Sequence, residues 1–209
     1  MRCDEGLCRA LGVQDLVIAL TAALDAKSPH TRGHCDRVAA LSWALALELG
    51  MGETEADSVR IAGHLHDIGK IGVADSIIDK PRTLDPAEFE SMKVHCVIGA
   101  ALVEQVEPLR VFSSWVRGHH ERWDGEGYPD RLAAESIPLE ARIICVVDSW
   151  DAMTSSRAYG GLVDPGSAIE ELKARSGRQF DPRLVEAFAR LFKAGRLPLL
   201  IGREELIGA

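Results

Sequence analysis

The sequence predicts an all-α fold, one helical bundle within 209 residues. Three observations carry that reading. Apolar residues recur at the helical period through most of the chain. Helix punctuation recurs with them: Gly50 and Gly69 stand at helix ends, and Asp85-Pro86 and Asp181-Pro182 each put proline directly after a capping carboxylate. The one run apolar enough to pass for a buried strand, 139–153 with Ile143, Ile144, Val146 and Val147, has the length of a buried helix.

The elements follow in order. Residues 16–26 are rich in Ala and Leu and form a first helix, broken by Ser28-Pro29. A second spans 30–49 and closes at Gly50; a third spans 53–67 and ends at Gly69. Residues 75–84, with Lys80-Pro81, are mostly loop. Asp85 caps a helix running through His95, and a separate one covers 97–105. Residues 111–121 form a short helix. The segment 123–138 holds Asp124-Gly125-Glu126-Gly127-Tyr128-Pro129 and is an ordered loop. Helices over 139–153, from 164 or 167 to 175, and over 181–194 complete the set. The tail, 195–209, receives no assignment.

Composition is that of a globular domain: 46% hydrophobic and 27% charged. The net charge of −8 argues against polymeric nucleic acid as a partner. A small anionic ligand stays open if its pocket is locally positive. No run of 18 apolar residues exists, so no membrane span is expected. The N-terminus lacks a basic region followed by an apolar stretch, so no signal peptide is expected. Five scattered cysteines without C-x-x-C spacing indicate reduced thiols and a cytoplasmic location.

The chemistry-bearing residues are histidines and acids. His30 and His34 are four apart, the spacing by which one helix face offers two imidazoles to one metal. His66-Asp67 lies at a helix end, just before Gly69-Lys70, and His119-His120 precedes the glycine-rich loop. Asp148 is an acid inside an apolar helix, costly there unless paired or metal-bound. Each has an ordinary alternative. A single helix histidine is usually a surface or satisfied core residue, and Asp148 could pair with Arg142 or Arg157. Together, imidazoles and carboxylates from several helices are how bundles build two-metal sites. That ligand set suits iron, manganese, zinc or nickel rather than calcium.

In this order the residues resemble a known family. The series His34…His66-Asp67…Asp148 is similar to the H…HD…D signature of the HD-domain metal-dependent phosphohydrolases. The finer motifs resemble the HD-GYP group of bacterial cyclic di-GMP phosphodiesterases. They include His66-Asp67-Ile68-Gly69-Lys70, Met92-Lys93-Val94-His95, and His119-His120-Glu121-Arg122-Trp123-Asp124-Gly125-Glu126-Gly127-Tyr128-Pro129. The match runs from about 14 to 192. It divides the chain into an N-terminal extension (1–13), a phosphohydrolase domain (14–194) and a C-terminal tail (195–209).

The resemblance implies an HD-domain helical bundle with the metal site between helices. It implies that His34, His66, Asp67, His95, His119, His120 and Asp148 bind two divalent ions, iron or manganese, with Asp67 bridging. His34, His66 and Asp148 would serve one ion, and His95, His119 and His120 the other. The position of His30 is often Glu in members with a third metal. A neutral residue there makes a third ion less welcome, so two are expected and His30 is an optional ligand. Cyclic di-GMP would be cleaved to pGpG by a metal-bridged hydroxide, with onward cleavage to GMP left open. Lys70 would stabilise charge on phosphate and Arg157 would contact the second phosphate. Gly127, Tyr128 and Pro129 would border the pocket. Trp123 is read as a loop anchor, Asp151 as a supporting or helix-capping residue, and His64 as structural. Cys35 and Cys96 diverge by about 100° from the adjacent ligands and are not expected to bind metal.

Two departures keep alternatives open. After Arg157 the chain reads Ala158-Tyr159-Gly160-Gly161, where members often carry another basic residue. This leaves open another cyclic nucleotide as substrate, or a non-catalytic nucleotide- or protein-binding module. Only 29 residues precede His30, too few for a sensory domain: either the chain is part of a longer protein, or regulation comes from a separate chain, with a regulatory or diguanylate-cyclase protein as the partner. The 195–209 tail is where a homodimer could form.

Overall fold

The structure, a computed structural model, describes residues 12–27, 33–80, 82–155 and 163–198. Among them are nine α-helices and three short 3-10 helices. The extended pairing is one bridge between Ser176 and Phe180. The helices are α1 (Val13–Lys27), α2 (His34–Glu48), α3 (Glu53–Leu65), α4 (Asp75–Ile78), α5 (Pro86–Glu104), α6 (Ser113–Gly118), α7 (Leu139–Thr154), α8 (Pro165–Ala174) and α9 (Pro182–Lys193). The 3-10 helices are Ile68–Gly72, Glu107–Phe112 and Ala134–Ser136. No described helix is long and apolar enough to cross a membrane.

The strand-like run is helix α7, and it forms the centre of the bundle. Ile143, Ile144, Val146 and Val147 are fully buried there, against α2, α3, α6, α8 and α9. Burial on all sides explains why its sequence shows no polar stripe. Around it, α2 packs closely on α3, and α5 packs on α6 and on the Ile68–Gly72 turn. The proline-marked starts behave as capping chemistry requires. The Asp85 carboxylate accepts from the Glu88 amide at 3.0 Å and Glu88 accepts from the Asp85 amide at 2.9 Å, a reciprocal cap. Asp164 and Asp181 cap α8 and α9 through the amides of Ser167 and Arg183.

Five expectations need correction. The second helix starts at His34, not 30, because Gly33 sits in the left-handed region at φ 70°. Residues 28–32 lie outside the described residues. The third helix stops at Leu65, two residues before Asp67, whose φ of −97° and ψ of 2° leave helical geometry. The two helices expected over 85–105 are one continuous α5. The loop expected over 75–84 contains the single-turn α4, and 111–121 divides into the end of a 3-10 helix, α6 and a turn.

One close approach sets the geometry of the site. The Ile68–Gly72 turn lies against the backbone of α5 at Gly69, where a Cβ would stand 1.9 Å from the His95 carbonyl oxygen. Only glycine lets that turn sit so near α5.

Candidate metal centre

The early stop of α3 matters chemically. Within a continuing helix, His66 and Asp67 would diverge by about 100°. Turning out of the helix lets both side chains face one interior spot. His34 comes from the first turn of α2, His95 from the middle of α5, and His119-His120 from the turn after α6. Asp148 and Asp151 come from α7. The bundle thus carries five separate segments to one place.

Ligand-capable atoms form two groups, each within 4.8 Å: His34, His66 and Asp67, and His95, Cys96, His119 and His120. Asp67 stands between them. Its Oδ2 lies 3.4 Å from His66 Nε2 and 3.8 Å from His34 Nε2, while its Oδ1 lies 3.5 Å from His95 Nε2. Asp148 Oδ1 joins the first group at 3.2 Å from His34 Nε2. His95 Nε2 and His119 Nε2 are 3.3 Å apart.

The ring orientations are fixed from behind. Nδ1 of His66, His95 and His119 each donates to the backbone carbonyl three residues earlier, of Gly63, Met92 and Val116, at 2.6–2.7 Å. That sets the tautomer and aims the Nε2 lone pair into the cluster, the outer-shell arrangement that orients metal-binding imidazoles. His34 is held by Asp151 Oδ2 at 2.7 Å from its Nδ1. Asp151 is itself gripped by the Arg37 guanidinium at 2.6 and 3.0 Å.

These donors fit divalent ions. His66 Nε2 is buried and makes no hydrogen bond, an orphaned lone pair that a cation would satisfy. The set of imidazoles and carboxylates is that of iron, manganese or zinc. Burial is the largest influence on the acids and would raise them. The charges of Lys70 and His66 hold Asp67 well below the usual carboxylate range, and the His34 hydrogen bond does the same for Asp148. Burial lowers His95, takes His119 well below its ordinary value, and takes His120 to about 3. His34 also feels burial most, yet its bonds to Asp148 and Asp151 outweigh it and hold the pKa near 9. Most of the imidazoles are therefore neutral, as ligands must be.

Other residues named from sequence fall as follows. Lys70 Nζ stands 2.5 Å from Asp67 Oδ2, at the edge of the cluster. Tyr128 stacks on His120, with ring centres 5.0 Å apart at 35°. Gly127 presses on the loop backbone so closely that a Cβ would stand 2.3 Å from the Arg122 amide nitrogen. Trp123 lies under the Arg142 guanidinium, 5.6 Å from the ring centre, and its amide bonds to Gln179. His64 faces Asp36 at 3.4 Å. Asp148 pairs with His34; Arg142 pairs with Asp181 at 2.7 Å instead. His30 and Arg157 lie outside the described residues. The helical-face argument for His30 with His34 loses its basis at left-handed Gly33.

Sequence reading passed over two participants, Arg37 and Glu121, and expected Cys96 to point away from the site. Arg37 locks Asp151. Glu121, buried, accepts from the amides of Asp130 and Leu132 at 2.6 and 3.0 Å and folds the glycine-rich loop. Its only signal was a carboxylate directly after two histidines. Cys96 Sγ stands 3.5 Å from His95 Nε2, although adjacent helical side chains diverge.

A helical protein with histidine and aspartate donors converging between helices is thus defined. The HD-domain family profile matches residues 19–184, and the chain belongs to that family. It is 42% identical over 165 residues to a cyclic di-GMP phosphodiesterase of Thermotoga maritima, covering 78% of this chain and 45% of that protein. It is 38% identical over 175 residues to a 3'3'-cGAMP-specific phosphodiesterase of Vibrio cholerae, covering 83% and 34%. The chain therefore spans less than half the length of these relatives. The crystal structure of a cyclic GMP-AMP-specific phosphodiesterase from V. cholerae shares the fold, with a TM-score of 0.67 at 22% identity over 87% of this chain and 49% of that one.

Proposed function

We propose that this protein is a metal-dependent phosphodiesterase that hydrolyses cyclic di-GMP to pGpG. The observation that carries the reading is Asp67, a buried carboxylate whose two oxygens face two separate imidazole groups. His34, His66 and Asp148 would hold one divalent ion and His95, His119 and His120 the other, with Asp67 shared. Iron or manganese fits the donors, and two ions are expected. Bound divalent ions supply Lewis acidity and make a water nucleophilic near neutral pH. The chain's own groups do the rest. The carbonyls of Gly63, Met92 and Val116 keep three Nε2 atoms aimed inward. The Lys70 ammonium brings a fixed cation to the cluster edge, where negative charge grows on the attacked phosphoryl group. The Gly127-Tyr128-Pro129 segment walls one side through the stack of Tyr128 on His120. Arg157 is assigned the second phosphate on motif resemblance alone. A second reading, cyclic GMP-AMP as substrate, is favoured by the name of the 38% identical relative.

The test is turnover of cyclic di-GMP by protein loaded anaerobically with Fe(II) or Mn(II), beside Asp67→Ala. Wild-type cleavage to pGpG that vanishes in the variant is expected. Absence of turnover by metal-replete wild type on cyclic di-GMP and cyclic GMP-AMP alike overturns the reading. Elemental analysis finding three ions per chain at full activity overturns the two-ion assignment.

A further inference from the structure

We propose that Phe89 and Lys93, on the outer side of α5, form the subsite for one purine base of the substrate. This rests on the cyclic dinucleotide reading above and adds the residues that would recognise a base.

Phe89 is 43% exposed, a large apolar ring left in water. Its ring meets Tyr128 edge to face, with centres 6.0 Å apart at 84°. Tyr128 in turn lies on His120. A file of rings therefore leads from the buried histidines to the surface and ends at Phe89. Lys93, one helical turn after Phe89, sets its ammonium 4.9 Å from the Phe89 ring centre and 5.4 Å from that of Tyr128. Its carboxylate partner, Glu90 at 2.6 Å, is 70% exposed, so that pair is weak and exchangeable.

An exposed ring with a cation beside it has a specific chemistry. Every base offers a π face to stack on an aromatic side chain. Lysine donates well to the O6 and N7 acceptors of guanine; adenine presents an amino donor where guanine has O6. Lys93 therefore favours guanine over adenine on the Phe89 ring, while the phosphate lies toward the histidines.

The experiment uses the full metal-loaded chain, with Phe89→Ala, Phe89→Tyr and Lys93→Met. The kcat/KM for cyclic di-GMP is divided by that for bis(4-nitrophenyl) phosphate, which carries no base. That ratio should fall about tenfold in Phe89→Ala, chiefly through KM, and recover in Phe89→Tyr. Lys93→Met should narrow the preference for cyclic di-GMP over cyclic di-AMP by about fivefold. An unchanged ratio in Phe89→Ala overturns the subsite, whether both activities fall together or neither falls. If the wild type cleaves bis(4-nitrophenyl) phosphate but no cyclic dinucleotide, the substrate reading fails separately. GMP binding by equilibrium dialysis then decides the subsite: dependence on Phe89 sustains it, and independence or no binding overturns it.

Discussion

Replacing Gly69 with alanine should dismantle the centre without touching a ligand. The added Cβ would stand 1.9 Å from the His95 carbonyl oxygen, 2.5 Å from the Gly99 amide nitrogen and 2.8 Å from the His95 carbonyl carbon. Carbon and carbonyl oxygen ordinarily meet at roughly 3.3 Å, so the first contact is short by about 1.4 Å. All three atoms are backbone of one helix and cannot rotate aside. Either α5 or the Ile68–Gly72 turn must move as a body. Overpacking of this kind costs about 3 kcal/mol or more. Since α5 carries His95 and the turn follows Asp67, the shift also separates the 3.5 Å pair that joins the two groups. Metal affinity should fall about 10- to 100-fold, as when supporting contacts are lost. Urea unfolding of the metal-free protein and chelator competition for Mn(II) measure the two effects. Gly118→Ala is the control: its Cβ would meet the Ala141 Cβ at 3.5 Å, ordinary van der Waals contact away from the Ile68–Gly72 turn, and should cost under about 1 kcal/mol. A Gly69→Ala protein with the wild-type urea midpoint and wild-type Mn(II) affinity would refute this reasoning.

Three further outcomes are expected. Asp151→Ala releases His34 and Arg37 together and should weaken Mn(II) binding about 10- to 100-fold while the fold persists; unchanged affinity counts against its positioning role. Arg142→Met leaves the fully buried Asp181, among the described residues, with only the exposed Arg183 as cation and should cost about 3 kcal/mol by urea unfolding; a loss under about 1 kcal/mol would show the pair dispensable. In metal-free protein, His95, His119 and His120 have folded pKa values below the ordinary 6.5, so the unfolded chain takes up protons first as pH falls. Stability should drop below about pH 6.5, by up to about 1.4 kcal/mol per pH unit for each such histidine. His34 has the opposite sign: held near 9, its contribution is full below 6.5 and fades as pH rises toward 9. A flat urea midpoint between pH 7 and pH 5.5 contradicts the burial of these rings.

Much of this protein was legible in its residues. Helix type, the capping carboxylates at Asp85 and Asp181, and the helical nature of 139–153 followed from period, proline position and length, which are local properties of a chain. The residues that meet at the centre were named by motif resemblance; the residues themselves offered only adjacent His66-Asp67 and His119-His120 and an acid, Asp148, in an apolar helix, costly there unless paired or metal-bound. What the chain could not show was orientation. That α3 stops before Asp67, that Gly33 ends the right-handed path toward residue 30, and that Cys96 turns toward His95 depend on how segments press on one another. The same holds for Arg37 and Glu121, whose charges look like surface charges until α7 and the 130–132 loop are laid against them. Spacing along a helix constrains direction only while the helix continues. Where it breaks, packing decides where a side chain points, and at this centre several ligands stand at or just beyond a helix end: His34, His66, Asp67, His119 and His120.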